Sequence, residues 1–98
     1  MALQITQNQE IFEIRGSITT ENAKSLQHHF EKLLCRLNKV IICLDKVKKI
    51  DSSGVTVLNK LFRNAAENKK TLYIIGKENK KVSAAFGKVN YILRSDFV

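Results

Sequence analysis

The sequence predicts a small single-domain α/β sandwich over residues 1–98, in which helices cover a central mixed sheet in the order β-β-α-β-α-β-α-β. Two short runs, Val40–Leu44 and Thr71–Ile75, are mostly apolar without alternation, which is typical of buried parallel strands. Each follows a stretch with apolar residues at three- and four-residue steps, the spacing of an amphipathic helix. A chain of 98 residues, 44% of them hydrophobic, has room for one core.

The chain begins with two predicted strands, residues 3–7 and 10–15, in which apolar and polar side chains alternate. Asn8 and Gln9 lie between them and fit a hairpin turn, so the two strands are predicted to be antiparallel. Gly16 is predicted to end the second strand.

A helix is predicted from about Thr20 to Leu37. Thr19 and Thr20 can cap its first turn, where Glu21 is also favourable because the helix dipole is positive there. Asn38 is a plausible terminator. One face of this helix is apolar and comprises Ala23, Leu26, Phe30, Leu33, Leu34 and Leu37.

The strand Val40–Leu44 is expected to be covered on both faces, as in a sheet sandwiched between helices. Residues 46–50 are interpreted as a short basic connection with Val47 and Ile50 turned inward. The connection leads into Asp51-Ser52-Ser53-Gly54, where a second helix is predicted to begin.

The second helix runs to about Ala66, and its predicted apolar face comprises Val55, Leu58, Leu61, Phe62, Ala65 and Ala66. The strand Thr71–Ile75 follows. A short helix is then predicted over residues 78–86, with Val82, Ala85 and Phe86 inward. A last short strand is predicted over residues 89–93.

Composition excludes several classes of protein. No apolar run approaches the ~20 residues of a membrane helix, and the N-terminus lacks the pattern of a signal peptide, so we expect a cytoplasmic protein without membrane insertion. Cys35 and Cys43 lie among apolar residues, which favours reduced, buried thiols over a disulfide or a metal site.

The net charge of +8 raises the question of whether the protein binds nucleic acid. The bases are spread along the chain without interleaved aromatics, which favours a solvated basic surface.

Catalytic patterns are also absent. Ser52 and Ser53 lack the G-x-S-x-G motif of a serine hydrolase, and the two histidines, His28 and His29, lie within the first predicted helix. No metal-ligand spacing is present, and Gly54 does not belong to a phosphate-binding glycine pattern. We therefore expect neither an enzyme nor a bound cofactor.

The Asp51–Gly54 junction allows two interpretations. Asp51 and Ser52 can be helix caps, which contribute about 1 kcal/mol and require no function. Alternatively, this helix start presents a hydroxyl to a partner or a kinase. In either interpretation, a glycine at position 54 is explained by a sharp turn or by the close approach of another segment, since glycine has no side chain.

At this junction the sequence resembles a STAS domain, the fold of anti-sigma factor antagonists. That family has a buried strand ending in Leu-Asp, a short connection and Asp-Ser-Ser/Thr-Gly-Leu/Val at a helix start. Leu44-Asp45 and residues 51–55 match this pattern. Gly16-Ser17-Ile18-Thr19 with Ala23 is similar to the family's Gly-x-Leu-Asp entry to the first helix, with Thr19 in place of the aspartate.

The resemblance implies a bacterial regulator of transcription that binds an anti-sigma factor with serine-kinase activity. By the same resemblance, Ser52 is the residue that the partner phosphorylates, and phosphorylation ends the binding. The implied partner-binding residues are Asp51, Ser52, Ser53, Gly54, Thr56, Lys60, Arg63, Ser17, Thr19 and Thr20.

Two alternatives remain. A STAS-like subunit of a transport or signalling complex would use the same surface without phosphorylation. A basic nucleic-acid-binding domain is the less favoured alternative, and its affinity would fall steeply with salt. The sequence leaves the oligomeric state and the identity of the partner open.

Overall fold

The computed structural model describes residues 3–96 and confirms the predicted α/β class and element order. The strands are β1 (Gln4–Asn8), β2 (Ile11–Ile18), β3 (Lys39–Ile50), β4 (Thr71–Ile75) and β5 (Leu93–Arg94). The helices are α1 (Thr20–Arg36), α2 (Ser52–Glu67) and α3 (Lys80–Phe86), and a 3₁₀-helix spans Gly87–Ile92.

The five strands form one mixed sheet in the order β1-β2-β3-β4-β5. β1 and β2 are antiparallel, and the remaining neighbours are parallel. Because each crossover from β2 onward moves in the same direction, right-handed connections place α1, α2 and α3 on the same face of the sheet. The hydrophobic core lies between that face and the helices, and it includes Phe12, Phe30, Ile42, Leu61 and Val82.

The opposite face of the sheet differs from the expectation of a strand sandwiched between helices. Ile41 is only 2% exposed, yet it lies on this second face, paired with Ile11 and Tyr73. Long basic side chains help to cover the face. The Lys39 ammonium and the Arg94 guanidinium lie 5.7 and 4.4 Å from the centre of the Tyr73 ring.

β2 and β3 are both longer than predicted. β2 continues through Gly16 to Ile18, and residues 46–50 belong to β3 instead of forming a connection. Register shifts between Glu13 and Arg15 and between Gly16 and Ser17 allow the pairing to continue. Gly16 has a φ of 96°, which a side chain would disfavour, and β2 continues through it to Ile18.

The C-terminal prediction was partly wrong. α3 begins at Lys80, because the Asn79 side chain caps it by accepting from the Lys81 and Val82 N–H groups. Ala85 is exposed and does not face the core. Residues 89–93 form mostly a 3₁₀-helix, and only Leu93 and Arg94 pair with β4.

The predicted apolar face of α1 is confirmed. Its buried residues are Ala23, Leu26, Phe30, Leu33 and Leu34, and Leu37 is half-buried just beyond the end of the helix. In α2, Val57 is buried instead of Ala66, which is exposed.

Cys35 is exposed and Cys43 is half-buried, so the expectation of two buried thiols was wrong. Across residues 3–96, no helix has the length and apolar character needed to cross a membrane.

Candidate functional site

The candidate site lies where the carboxyl ends of β2 and β3 meet the amino ends of α1 and α2. Ile18 and Ile50 are paired as the last residues of the two strands. The Asp51 N–H then donates to the Ile18 carbonyl at 3.1 Å, which holds the two strand ends together. Both helices therefore begin at the same edge of the sheet, although their first residues are far apart in sequence.

Asp51 joins the two helix starts through its carboxylate. Oδ1 accepts the Gly54 N–H at 3.1 Å and thereby caps α2. Oδ2 accepts from Thr20, the first residue of α1, through its N–H at 3.0 Å and its hydroxyl at 3.3 Å. An anion suits this position because both helices direct unpaired N–H groups and positive dipole ends toward it.

These contacts lower the pKa of Asp51 below its ordinary value of 3.8. The hydrogen bond from the Gly54 N–H is the largest cause, and partial desolvation opposes it. Bonds from the Thr20 N–H and hydroxyl and from the Ser53 N–H add to the lowering.

We expect the Asp51 carboxylate to make stability depend on pH. Because its native pKa is below its unfolded value, its contribution is fully present above about pH 4 and is lost as the pH falls through the native pKa. Asp51→Asn should therefore reduce the free energy of unfolding at pH about 6 more than at pH about 3. Urea unfolding of both proteins measures this difference, and an equal loss at the two pH values would contradict the prediction.

The two serines of the junction have different environments. The Ser53 hydroxyl lies 2.9 Å from the Thr20 hydroxyl. When Thr20 donates its hydrogen to Asp51, Ser53 must be the donor to Thr20. Ser52, in contrast, is exposed as the first residue of α2, and its carbonyl accepts the Thr56 hydroxyl at 2.9 Å.

A groove of about 320 Å³ runs between the amino-terminal halves of α1 and α2. Ser52, Ser53 and Thr56 line it from α2, and Thr20, Lys24 and Gln27 line it from α1. Sequence reasoning did not identify Lys24 and Gln27 as site residues. Their spacing of four and seven residues from Thr20 is the signal that could have done so, since it places all three on one face of a helix.

The expected partner-binding residues do not all reach the surface. Ser52, Thr56, Lys60 and Arg63 are exposed at helical spacing along α2 and form a continuous stripe with Thr20 beside it. Thr19 is half-buried as the N-cap of α1.

Two of the expected residues lie beneath the surface. Ser17 is only 4% exposed, within β2. Gly54 is buried in the first turn of α2 against the ends of β2 and β3, and a Cβ there would lie 2.7 Å from Ile18 Cγ2.

Comparison with known proteins identifies the fold. SpoIIAA, an anti-sigma factor antagonist, matches with a TM-score of 0.67 in its unphosphorylated form, at 15% identity, over 98% of this chain and 90% of that chain. Bacillus SpoIIAA in its phosphorylated form matches with a TM-score of 0.68, at 16% identity, over 98% and 92%. An anti-sigma factor antagonist from Mycobacterium paratuberculosis matches with a TM-score of 0.72, at 13% identity, over 98% and 86%.

Sequence comparison gives the family. None of the curated proteins matches the chain. The family model of the STAS domain matches residues 1–80, which contain the Asp51–Gly54 junction and both helices that flank the groove. The resemblance noted at the junction is thus confirmed over most of the chain, and this protein belongs to the STAS domain family.

Proposed function

We propose that this protein is a regulatory binding module of the anti-sigma-factor-antagonist type, switched by phosphorylation of Ser52. The observation that carries the proposal is the exposure of Ser52 at the first position of α2, beside a groove between two helices. The partner would be an anti-sigma factor with serine-kinase activity, in the cytoplasm of a bacterium.

The choice of Ser52 over its neighbours rests on hydrogen bonding. Ser53 and Thr20 bond to each other through their hydroxyls, and the Thr20 hydroxyl also donates to Asp51, so modification of either residue would disrupt hydroxyl bonds between the two helix starts. A phosphate on Ser52 leaves those bonds in place. It also lies at a helix amino end, where an anion is favourable.

The proposed contact surface comprises the exposed stripe on α2 and the α1 side of the groove. Its hydroxyls and the cations Lys24, Lys60 and Arg63 are suited to polar contacts with an acidic partner surface. The contacts of Asp51 hold the two helix starts together, so binding would require little ordering of the backbone.

Both forms of SpoIIAA support the proposal. That protein has been solved unphosphorylated and phosphorylated, and this chain resembles the two forms to the same extent, with TM-scores of 0.67 and 0.68. The same fold therefore accommodates a phosphate in SpoIIAA. A switch of this kind acts on the interface and needs no unfolding of the domain.

Phosphate transfer tests the proposal directly. We expect an anti-sigma factor of the kinase type from the same organism to transfer one phosphate from ATP to wild-type protein, located on Ser52 by peptide mass spectrometry. Ser53→Ala should accept phosphate as wild type does, whereas Ser52→Ala should accept none. Transfer to Ser53 or Thr20, or unchanged transfer to Ser52→Ala, would contradict the assignment.

A further inference from the structure

A cluster of lysines lies beside the candidate site and has no part in the contacts described above. β3 and the start of α3 are joined by Asn79, whose Nδ2 donates to the carbonyls of Leu44 and Val47, both at 3.0 Å. This contact brings the segments 45–49 and 77–81 together. We call their six exposed lysines the basic patch: Lys46, Lys48, Lys49, Lys77, Lys80 and Lys81.

The basic patch is an unbalanced concentration of charge. The two segments hold six lysines against two acids, a net +4, which is half of the +8 of the whole chain. Glu78 accepts a hydrogen bond from Ser95. None of the ion pairs found within residues 3–96 includes a lysine of the patch. Protein surfaces usually intersperse the two signs of charge, so this region carries a field that favours an anionic partner.

The chemistry of the patch favours an acidic protein over nucleic acid. Residues 44–50 and 76–82 contain neither arginine nor an aromatic residue. Base recognition commonly uses the two-pronged donors of arginine, and single strands stack on aromatic rings. Lysine is a compact point charge on a flexible stem, which suits diffuse attraction to carboxylates.

One end of the patch, Lys49, is close to Ser52. Three peptide units separate Lys49 from Ser52, so their Cα atoms are at most about 11 Å apart. That distance is comparable to the screening length of about 8 Å at physiological ionic strength. A partner seated on Ser52 therefore experiences the field of the patch.

We infer that the basic patch is a second contact area for the partner of the Ser52 surface and binds an acidic segment of that protein. This inference rests on the proposed function. The two areas have different roles. The patch accelerates association by long-range attraction, whereas Ser52 lies in the short-range interface and determines how long the complex lasts. A phosphate removes at most about two of the eight net positive charges, so it leaves most of the attraction in place.

Two charge-matched variants test the inference. Lys48→Glu/Lys80→Glu/Lys81→Glu changes the patch. Lys32→Glu/Arg36→Glu/Lys69→Glu makes the same change in net charge near the carboxyl end of α1 and in the turn that follows α2. The first probe is a labelled 20-residue peptide of alternating Glu and Gly. We expect the patch variant to bind it at least ~10-fold more weakly than wild type at low salt, and the control variant to stay within ~3-fold. Equal losses in the two variants would overturn the inference.

Duplex DNA and phosphatidylglycerol vesicles are the competing probes. If either binds the patch more tightly than the peptide does, the inference is also overturned.

Stopped-flow mixing with the kinase-type anti-sigma factor then separates the two proposals. The patch variant should slow association ~10-fold or more and change dissociation much less, whereas Ser52→Asp should mainly speed dissociation. Unchanged association in the patch variant, with weakened binding by Ser52→Asp, overturns the inference and leaves the proposed function intact. Unaltered binding by Ser52→Asp refutes the proposed function itself.

Discussion

Ser52→Asp is expected to weaken binding of the anti-sigma factor at least ~100-fold, equivalent to about 2.7 kcal/mol, while the circular dichroism spectrum stays native. The exposed Ser52 hydroxyl lies beside the groove, so a partner with an acidic contact surface would repel the new carboxylate as it covers this position. The fold should tolerate the change, because a negative charge at the first position of α2 interacts favourably with the helix dipole. Isothermal calorimetry on wild type and variant measures the effect.

Two control variants separate the site from general effects of charge. Ser52→Ala removes the hydroxyl without adding charge and should bind within a few-fold of wild type. Ser25→Asp makes the same substitution at an exposed serine of α1 that does not line the groove, and it should bind normally. Equal affinities of Ser52→Asp and Ser52→Ala would show that the ionic state of this position does not control binding.

Gly54→Ala is expected to destabilise the protein by about 1–3 kcal/mol, although alanine is the better helix former. The added Cβ would lie 2.7 Å from Ile18 Cγ2 and 2.9 Å from Ile50 Cγ1, closer than real Cβ contacts. Ile18 is fully buried and branched at Cβ, so it cannot turn aside. The start of α2 must therefore move, and the Gly54 N–H bond to Asp51 moves with it.

Helix propensity alone predicts the opposite sign for the stability change of Gly54→Ala, and an exposed position of the same helix provides a control. Ala66→Gly at an exposed position of α2 should cost about 1 kcal/mol, and propensity alone would make Gly54→Ala stabilising by a similar amount. Urea unfolding measures the change in unfolding free energy of both variants, provided that the slope of that free energy against urea concentration is the same as in wild type. In an Ile18→Ala background the cost of Gly54→Ala should shrink, because the nearest clashing atom is gone. A stabilising Gly54→Ala would refute the close-contact explanation.

The comparison of Ser52 with Ser53 shows how far the sequence could specify the candidate site. The acid, the two hydroxyls and the glycine at a strand-to-helix junction were visible in sequence, and so was the helix that begins there. Which hydroxyl stays exposed was not derivable from the residues themselves, because it depends on a bond between Ser53 and Thr20, 33 residues away. The role of Asp51 at both helix starts likewise depends on a contact across 31 residues.

The sequence by itself determined the α/β class, the order of the elements and the positions of α1, α2 and β4, because these follow from local periodicity and capping residues. Only the tertiary structure decided the length of β2 and β3, the placement of all three helices on one face, the 3₁₀-helix near the C-terminus and the joining of the lysines into one patch. Each of these features depends on hydrogen bonds or packing between segments that are distant in sequence. Such contacts produce no periodic pattern in the local sequence, so local periodicity could not predict them.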